Sequence, residues 1–248
     1  MITSLAGRVA LVTGGTGGIG AAICLQLAAS GAKVATNYRN EEKAQKWLAE
    51  TKAIYGFKTY RVDVSDFDAC QRMVERIEKD LGPIDILINN AGVTKDATLR
   101  KMGKEQWDTV LRINLDGVFN VTRQVVQGMM DRGYGRIVNI SSINAQKGQI
   151  GQSNYAASKA GMHGFTMSLA QEVARKGVTV NTVSPGYIGT DMVMAVPEEI
   201  RNQIIAQIPV GRLGTPEEVA YLVDFLVSEQ AAFITGADFA QNGGQHMM

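Results

Sequence analysis

The chain has 248 residues, 45% of them apolar and 20% charged, with a formal net charge of +1. That is a soluble globular composition of a size that one α/β domain can reach. It excludes a disordered or collagen-like chain, offers no basic block for nucleic acid and contains no apolar run long enough to span a bilayer.

The opening "MITSLAGRVALVTGG" runs straight into a strand pattern, with no basic segment leading a long apolar one, so no secretory signal is read there. Cys24 and Cys70 are 46 residues apart, without metal-ligand spacing. Neither a disulfide framework nor a metal site is expected, and a cytoplasmic setting is.

"RVALVTG" (8–14) reads as a buried strand. A helix follows over 18–31, where Ile19, Ile23 and Leu27 recur every four residues and Gly31 is a stop signal. "KVATNY" (33–38) is a second strand and 41–56 an amphipathic helix. Strands over 58–64 and 84–92 bracket a helix at 68–82. A long helix spans 105–133, "GRIVNISS" (135–142) is the fifth strand, 154–177 a second long helix and 178–186 the sixth strand. A looser segment leads to a helix at 216–229 and a short strand near 237–244. Apolar strands alternating with helices predict one doubly wound, Rossmann-type parallel sheet covered by helices on both faces, spanning 1–248 as a single domain.

"TGGTGGIG" (13–20) joins the first strand to the first helix and holds five glycines in eight residues. Gly14 at the strand end permits a tight turn. Gly18 and Gly20 at the helix start let backbone approach a pyrophosphate, and the helix N-terminus supplies free N–H groups. The other reading, a turn that only needs positive φ, leaves most of these glycines unused.

Tyr155 and Lys159 are four residues apart on the predicted helix and share a face. A phenol titrates near pH 10. A neighbouring ammonium should draw that value down, so that Tyr155 can exchange a proton with a substrate oxygen. Ser142 ends the fifth strand, where ligands sit in open α/β sheets, and its hydroxyl can bond to a carbonyl oxygen.

The spacing TGxxxGxG, with "NNAG" (89–92), Asn114 in "RINLDGVF", Ser142, "YAASK" (155–159) and "PGYIGT" (185–190), resembles the short-chain dehydrogenase/reductase family over essentially the whole chain. The resemblance implies an NAD(P)H-dependent oxidoreductase with Asn114, Ser142, Tyr155 and Lys159 as catalytic residues, Asn114 holding a water that links Lys159 to solvent. It implies cofactor contacts at Gly14, Gly15, Thr16, Gly18, Ile19, Gly20, Arg39, Asp63, Val64, Asn90, Ala91, Gly92, Tyr155, Lys159, Pro185, Gly186 and Ile188. Where an acid would select NADH, the second strand ends in Asn37, Tyr38, Arg39 and Asn40; Arg39 can pair with a 2′-phosphate, which favours NADPH, and NADH is the second candidate. The other reading of Arg39 is a solvated charge at a helix start.

Within the family, "AQKGQIGQSNY" (145–155) and "VTKDATLRKM" (93–102) resemble members that reduce 3-oxoacyl thioesters, those of coenzyme A more than those of a carrier protein. The resemblance implies NADPH-linked reduction of acetoacetyl-CoA to (R)-3-hydroxybutyryl-CoA for polyhydroxybutyrate synthesis. Asp96, Ser142, Gln149, Ile150, Gln152 and Tyr187 would line the acyl pocket, and the assembly would be a homotetramer. A carrier-protein substrate and, in another class, a non-catalytic nucleotide sensor are the competing readings.

Overall fold

The computed structural model describes residues 4–51 and 55–247. Seven strands form one parallel sheet in the order β3-β2-β1-β4-β5-β6-β7. They are β1 Val9–Val12, β2 Lys33–Tyr38, β3 Lys58–Arg61, β4 Ile86–Asn89, β5 Gly135–Ile140, β6 Val178–Pro185 and β7 Asp238–Gln241. Successive side chains of a strand point to opposite faces. Ala10, Val12, Ile86 and Ile88 therefore pack on one face with Ile23, Leu27, Val219 and Val223. Val9, Leu11 and Leu87 pack on the other with Met73, Ile77, Val121, Val125 and Met129. Both faces are apolar and helix-covered, the condition that a parallel sheet requires.

The helices are α1 Gly18–Ala29, α2 Glu41–Thr51, α3 Phe67–Leu81, α4 Lys104–Leu111, α5 Gly117–Arg132, α6 Asn144–Lys147, α7 Ser153–Val173, α8 Asp191–Met194, α9 Glu198–Ala206 and α10 Pro216–Leu226. Residues 52–54 of the helix predicted over 41–56 lie outside the described residues. α3 starts at Asp66, whose carboxylate accepts from the Ala69 N–H, and α10 starts with a Thr215–Glu218 capping box and Pro216 at N1.

The helix expected over 105–133 is not continuous. A π-helical turn, Arg112–Asp116, separates α4 from α5 and carries Asn114. Such turns are rare and cluster at functional positions. The loose segment after β6 holds α8 and α9, which bury no residue. Among the described residues, no helix is long and apolar enough to cross a membrane.

Candidate active site

The chain's path reverses between β1 and β4, the topological switch point where open α/β sheets bind ligands. Thr13 staples the two strand ends. Its Oγ1 accepts from the Asn90 and Ala91 N–H groups, both at 3.0 Å. The Asn90 amide returns hydrogen bonds to the carbonyls of Thr13 at 2.9 Å and Gly14 at 3.1 Å. Asn37 and Thr36 of β2 hold the turn from the other side, accepting from the N–H groups of Gly14 and Gly15.

The glycines divide into two jobs. Gly14 and Gly18 adopt φ of +66° and +54°, which other residues rarely do. Gly15 and Gly20 are required by space. A Cβ at Gly20 would sit 2.5 Å from both Asn90 Nδ2 and the Gly14 carbonyl. A Cβ at Gly15 would sit 2.5 Å from Cys24 Sγ and Thr36 Oγ1, so Gly15 faces the interior rather than the groove.

Above this turn runs a groove of about 790 Å³, lined by Gly14, Thr16, Gly18, Ile19 and Gly20, by Asn90, Ala91 and Gly92, and by Val64 and Arg39. That is the volume range of cofactor sites. The first turn of α1 presents its unshared N–H groups there, and no side chain from Gly17, Gly18 or Gly20 fills the cradle. These residues fit a dinucleotide diphosphate. At the far end, Arg39 lies 3.4 Å from Asp63, which also accepts from Ser65. Asp63 and Arg39 thus meet each other, and Asp63 is absent from the groove lining where Val64 is present.

The sequence reading missed part of the lining. Thr190, Asp191 and Met192 close the groove opposite the glycine turn, and Lys43, Lys46 and Trp47 of α2 extend it. Gly186 and Ile188, expected along it, instead line a second cavity of about 130 Å³ together with Tyr187. The reason is local: the Gly186 N–H is bound by the Gln241 carbonyl, and Ile188 is in the core. Pro185 ends β6 and accepts from the Ile143 N–H.

The reacting set lies behind Gly92. A Cβ there would be 3.5 Å from Lys159 Nζ and 3.4 Å from Asn114 Oδ1, ordinary contact distances that put the groove wall directly against the lysine. Tyr155 and Lys159 stand in the first two turns of α7, with Lys159 Nζ 5.7 Å from the Tyr155 ring centre. Lys159 is buried and donates to the Ile140 carbonyl at 2.7 Å. Ser142, just past β5, accepts at Oγ from the Asn144 N–H.

The expected depression of Tyr155 by the lysine is not found. Burial of the phenol dominates and raises its pKa, a hydrogen bond with Ser142 opposes this, and the Asp96 charge adds to the rise. Burial likewise pushes Lys159 down to about 7. Desolvation disfavours the charged form of each, and neither group is among the causes of the other's shift.

Asn114 does not have a free amide. Its Oδ1 accepts from the Val93 N–H and its Nδ2 donates to the Val93 carbonyl and to Ser158 Oγ. It thereby locks the π-helical turn to the loop after β4 and to α7.

Of the residues expected to line an acyl pocket, Asp96 and Gln152 meet. Gln152 Nε2 donates to Asp96 at 2.8 Å, and Gln152 Oε1 accepts from Asn144 at 2.8 Å. The Asp96 charge also raises Tyr187, after burial, which puts Tyr187 in the same field. Gln149 is exposed and Ile150 is 90% exposed, and neither lines the groove or the second cavity. Asn144 escaped the sequence reading, although a serine bonded by the N–H two residues on is a common local turn signature.

A glycine turn at the switch point of a seven-stranded parallel sheet, with a tyrosine and a lysine one helical turn apart beside it, places the chain among oxidoreductases of one family. The short chain dehydrogenase family profile matches residues 8–201, and the chain belongs to that family. Among curated relatives, the acetoacetyl-CoA reductase of Rhizobium meliloti (strain 1021) is 59% identical over 96% of this chain and 98% of its own. The acetoacetyl-CoA reductase of Cupriavidus necator is 54% identical over 97% of this chain and 98% of its own. A 3-oxoacyl-acyl-carrier-protein reductase of Vibrio cholerae is 44% identical over 99% of this chain and 100% of its own.

Proposed function

We propose that this protein reduces acetoacetyl-CoA to (R)-3-hydroxybutyryl-CoA with NADPH, as the monomer-forming step of polyhydroxybutyrate synthesis. The observation that carries the reading is near full-length similarity to acetoacetyl-CoA reductases, more than half of the residues being identical, in a chain that keeps the whole glycine turn and the Ser142, Tyr155 and Lys159 set.

When bound, the reduced nicotinamide supplies a hydride to C3 of the 3-oxoacyl group. Tyr155 supplies the proton that the resulting oxygen needs, giving a secondary alcohol. Its raised pKa keeps the phenol protonated at neutral pH, the form that reduction consumes. Ser142 offers its hydroxyl hydrogen to the same oxygen, its own oxygen being held by the Asn144 N–H. Lys159, with a pKa of about 7, changes charge near neutral pH and can return a proton to Tyr155. Asn114 holds the turn on which these groups depend. Asp96, Gln152 and Tyr187 form the thioester-facing side, and Gln149 and Ile150 complete it when the acyl chain is present.

Arg39, exposed on the groove and without a competing acid in the second strand, supports NADPH. Two free, buried cysteines are in keeping with a cytoplasmic setting. A homotetramer fits the exposed apolar side chains of α5 and α7, where Phe119 and Met167 are 49% and 52% exposed. Sedimentation at a monomer mass overturns that part. On α7 Gly161 packs on Leu115 of its own chain, whereas Gly164 meets open space and leaves room for a second copy.

The test is a paired assay of acetoacetyl-CoA and acetoacetyl carrier protein, each with NADPH and NADH. Preference for the CoA thioester with NADPH is expected. A tenfold preference for the carrier-protein thioester makes the fatty-acid reductase reading correct instead, and no turnover in any of the four defeats both reductase readings.

A further inference from the structure

His163 lies one turn beyond Lys159 on α7, outside the set described above, and is the centre of a largely buried polar cluster between α7 and the strands β5, β6 and β7. Its Nε2 is 3.0 Å from Ser141 Oγ, 3.3 Å from Ser184 Oγ and 3.8 Å from Asp238 Oδ1. A serine hydroxyl has one hydrogen to give. That of Ser141 goes to the Lys159 carbonyl at 3.0 Å, and that of Ser184 to Asp238 Oδ1 at 2.7 Å. Both serine oxygens can therefore only accept from the imidazole, which fixes the proton on Nε2. Gln146 of α6 occupies the other oxygen of Asp238 at 2.6 Å. The hydrogen bonds therefore run outward from His163 in two branches, through Ser141 to the backbone of Lys159 and through Ser184 to Asp238.

We propose that His163 is a positioning residue for the reduction. Its Nε2–H turns the Ser141 hydroxyl onto the Lys159 carbonyl. The other end of Lys159, its Nζ, is bound to the carbonyl of Ile140, the residue before Ser141. Lys159 is thus held at both ends by two successive residues, and the next residue is Ser142. The cluster sets how far the proton donor and its lysine stand from the serine that meets the substrate oxygen. Errors of about 1 Å in such spacings cost on the order of a hundredfold in rate. The inference rests on the reading that Ser142, Tyr155 and Lys159 carry out the reaction.

The experiment compares His163→Leu, which fills the space without a donor, with His163→Gln, which keeps an amide N–H. The expected result is a kcat lowered about tenfold or more in the leucine variant, within the hundredfold bound for misplacement. KM and the NADPH dissociation constant from fluorescence titration stay essentially at wild-type values, and the glutamine variant recovers most of the kcat. Ser141→Ala, which cuts the branch to Lys159, should reproduce the leucine phenotype, and it decides the matter if the leucine variant does not fold. An unchanged kcat in a folded leucine variant, equal losses in leucine and glutamine variants, or a lowered melting temperature with no change in kcat overturns the proposal. The wild-type rates on the CoA and carrier-protein thioesters test the substrate reading separately. The variant-to-wild-type ratio, taken on whichever thioester is turned over, tests His163, and a wild type that turns over neither defeats both.

Discussion

The floor of the site and its rim are built differently. At the floor, Asn114 and Lys159 are 0% and 3% exposed, and their polar side-chain atoms are bound to named backbone or hydroxyl partners. At the rim, the loop between α6 and α7 is tied to the loop after β4 by the Ala97 N–H to the Gly151 carbonyl and by Gln152 to Asp96, while Ile150 stands 90% exposed. Proton transfer, as proposed, needs fixed atoms and a dry surround; Asn114 and Lys159 are buried and bound in keeping with that, and Tyr155 beside them is half-buried. Under the proposed reading the acyl thioester itself completes this wall, and Ile150 stands in solvent until then.

The sharpest way to break this contrast is at the floor. Tyr155→Phe removes one oxygen and no packing. Loss of a positioned acid costs about 10²–10⁴-fold in rate, and the expected outcome is a kcat lowered by that much with the NADPH dissociation constant unchanged in a fluorescence titration. A variant retaining full turnover removes Tyr155 from the mechanism. At the opposite end of the groove, Arg39→Gln should weaken NADPH about tenfold or more, since hydrogen bonds to charged groups contribute about 1.5–3 kcal/mol. NADH binding should be untouched. The Arg39–Asp63 pair that it breaks is half exposed on both sides, so stability should hardly move. Equal losses for both nucleotides would mean that Arg39 supports the groove rather than a phosphate.

What could be read in the sequence follows the same division. The strands, the glycine turn and the pairing of Tyr155 with Lys159 were legible because each is local: a period of two, a run of glycines, a spacing of four. The break in the predicted helix 105–133 was not, because Asn114 is drawn out of α-helical register by Val93 and Ser158, partners 21 and 44 residues away. α8 and α9 left no apolar stripe to read, since neither buries a residue. The direction of the Tyr155 shift was missed for a related reason. Spacing shows that a lysine is near, but only burial shows that desolvation sets the direction.

That buried lysine makes a pH test possible. Lys159 titrates near 7 in the folded chain and near 10.4 when unfolded. Between those values the unfolded state binds more protons, so the lysine's contribution to stability rises with pH across that window and is flat below it. Lys159→Met abolishes this slope. The gain of the variant over wild type in cofactor-free thermal melts should be largest at pH 7 and shrink toward pH 10, by at most about 1.4 kcal/mol per pH unit. The lost bond to the Ile140 carbonyl offsets the variant equally at every pH, so the slope rather than the sign is diagnostic. A pH-independent gap would mean that the ammonium is solvated in the folded protein and that the floor is wetter than its geometry indicates.

The smallest effect on the fold, and the one that isolates the rim, is expected from Ile150→Ala. An exposed side chain contributes little to folding, so the unfolding free energy should stay within about 0.5 kcal/mol of wild type. The same change removes three carbons that can cover an acyl chain, each worth about 0.8 kcal/mol when buried. The KM for acetoacetyl-CoA should therefore rise several-fold, with kcat retained, because the floor is untouched. If KM is unchanged, Ile150 is solvated in the complex as well and the rim is closed by other residues. If kcat falls with it, the loop from 147 to 152 reaches Ser142 through Asn144 and Gln152, and floor and rim are one mechanical unit.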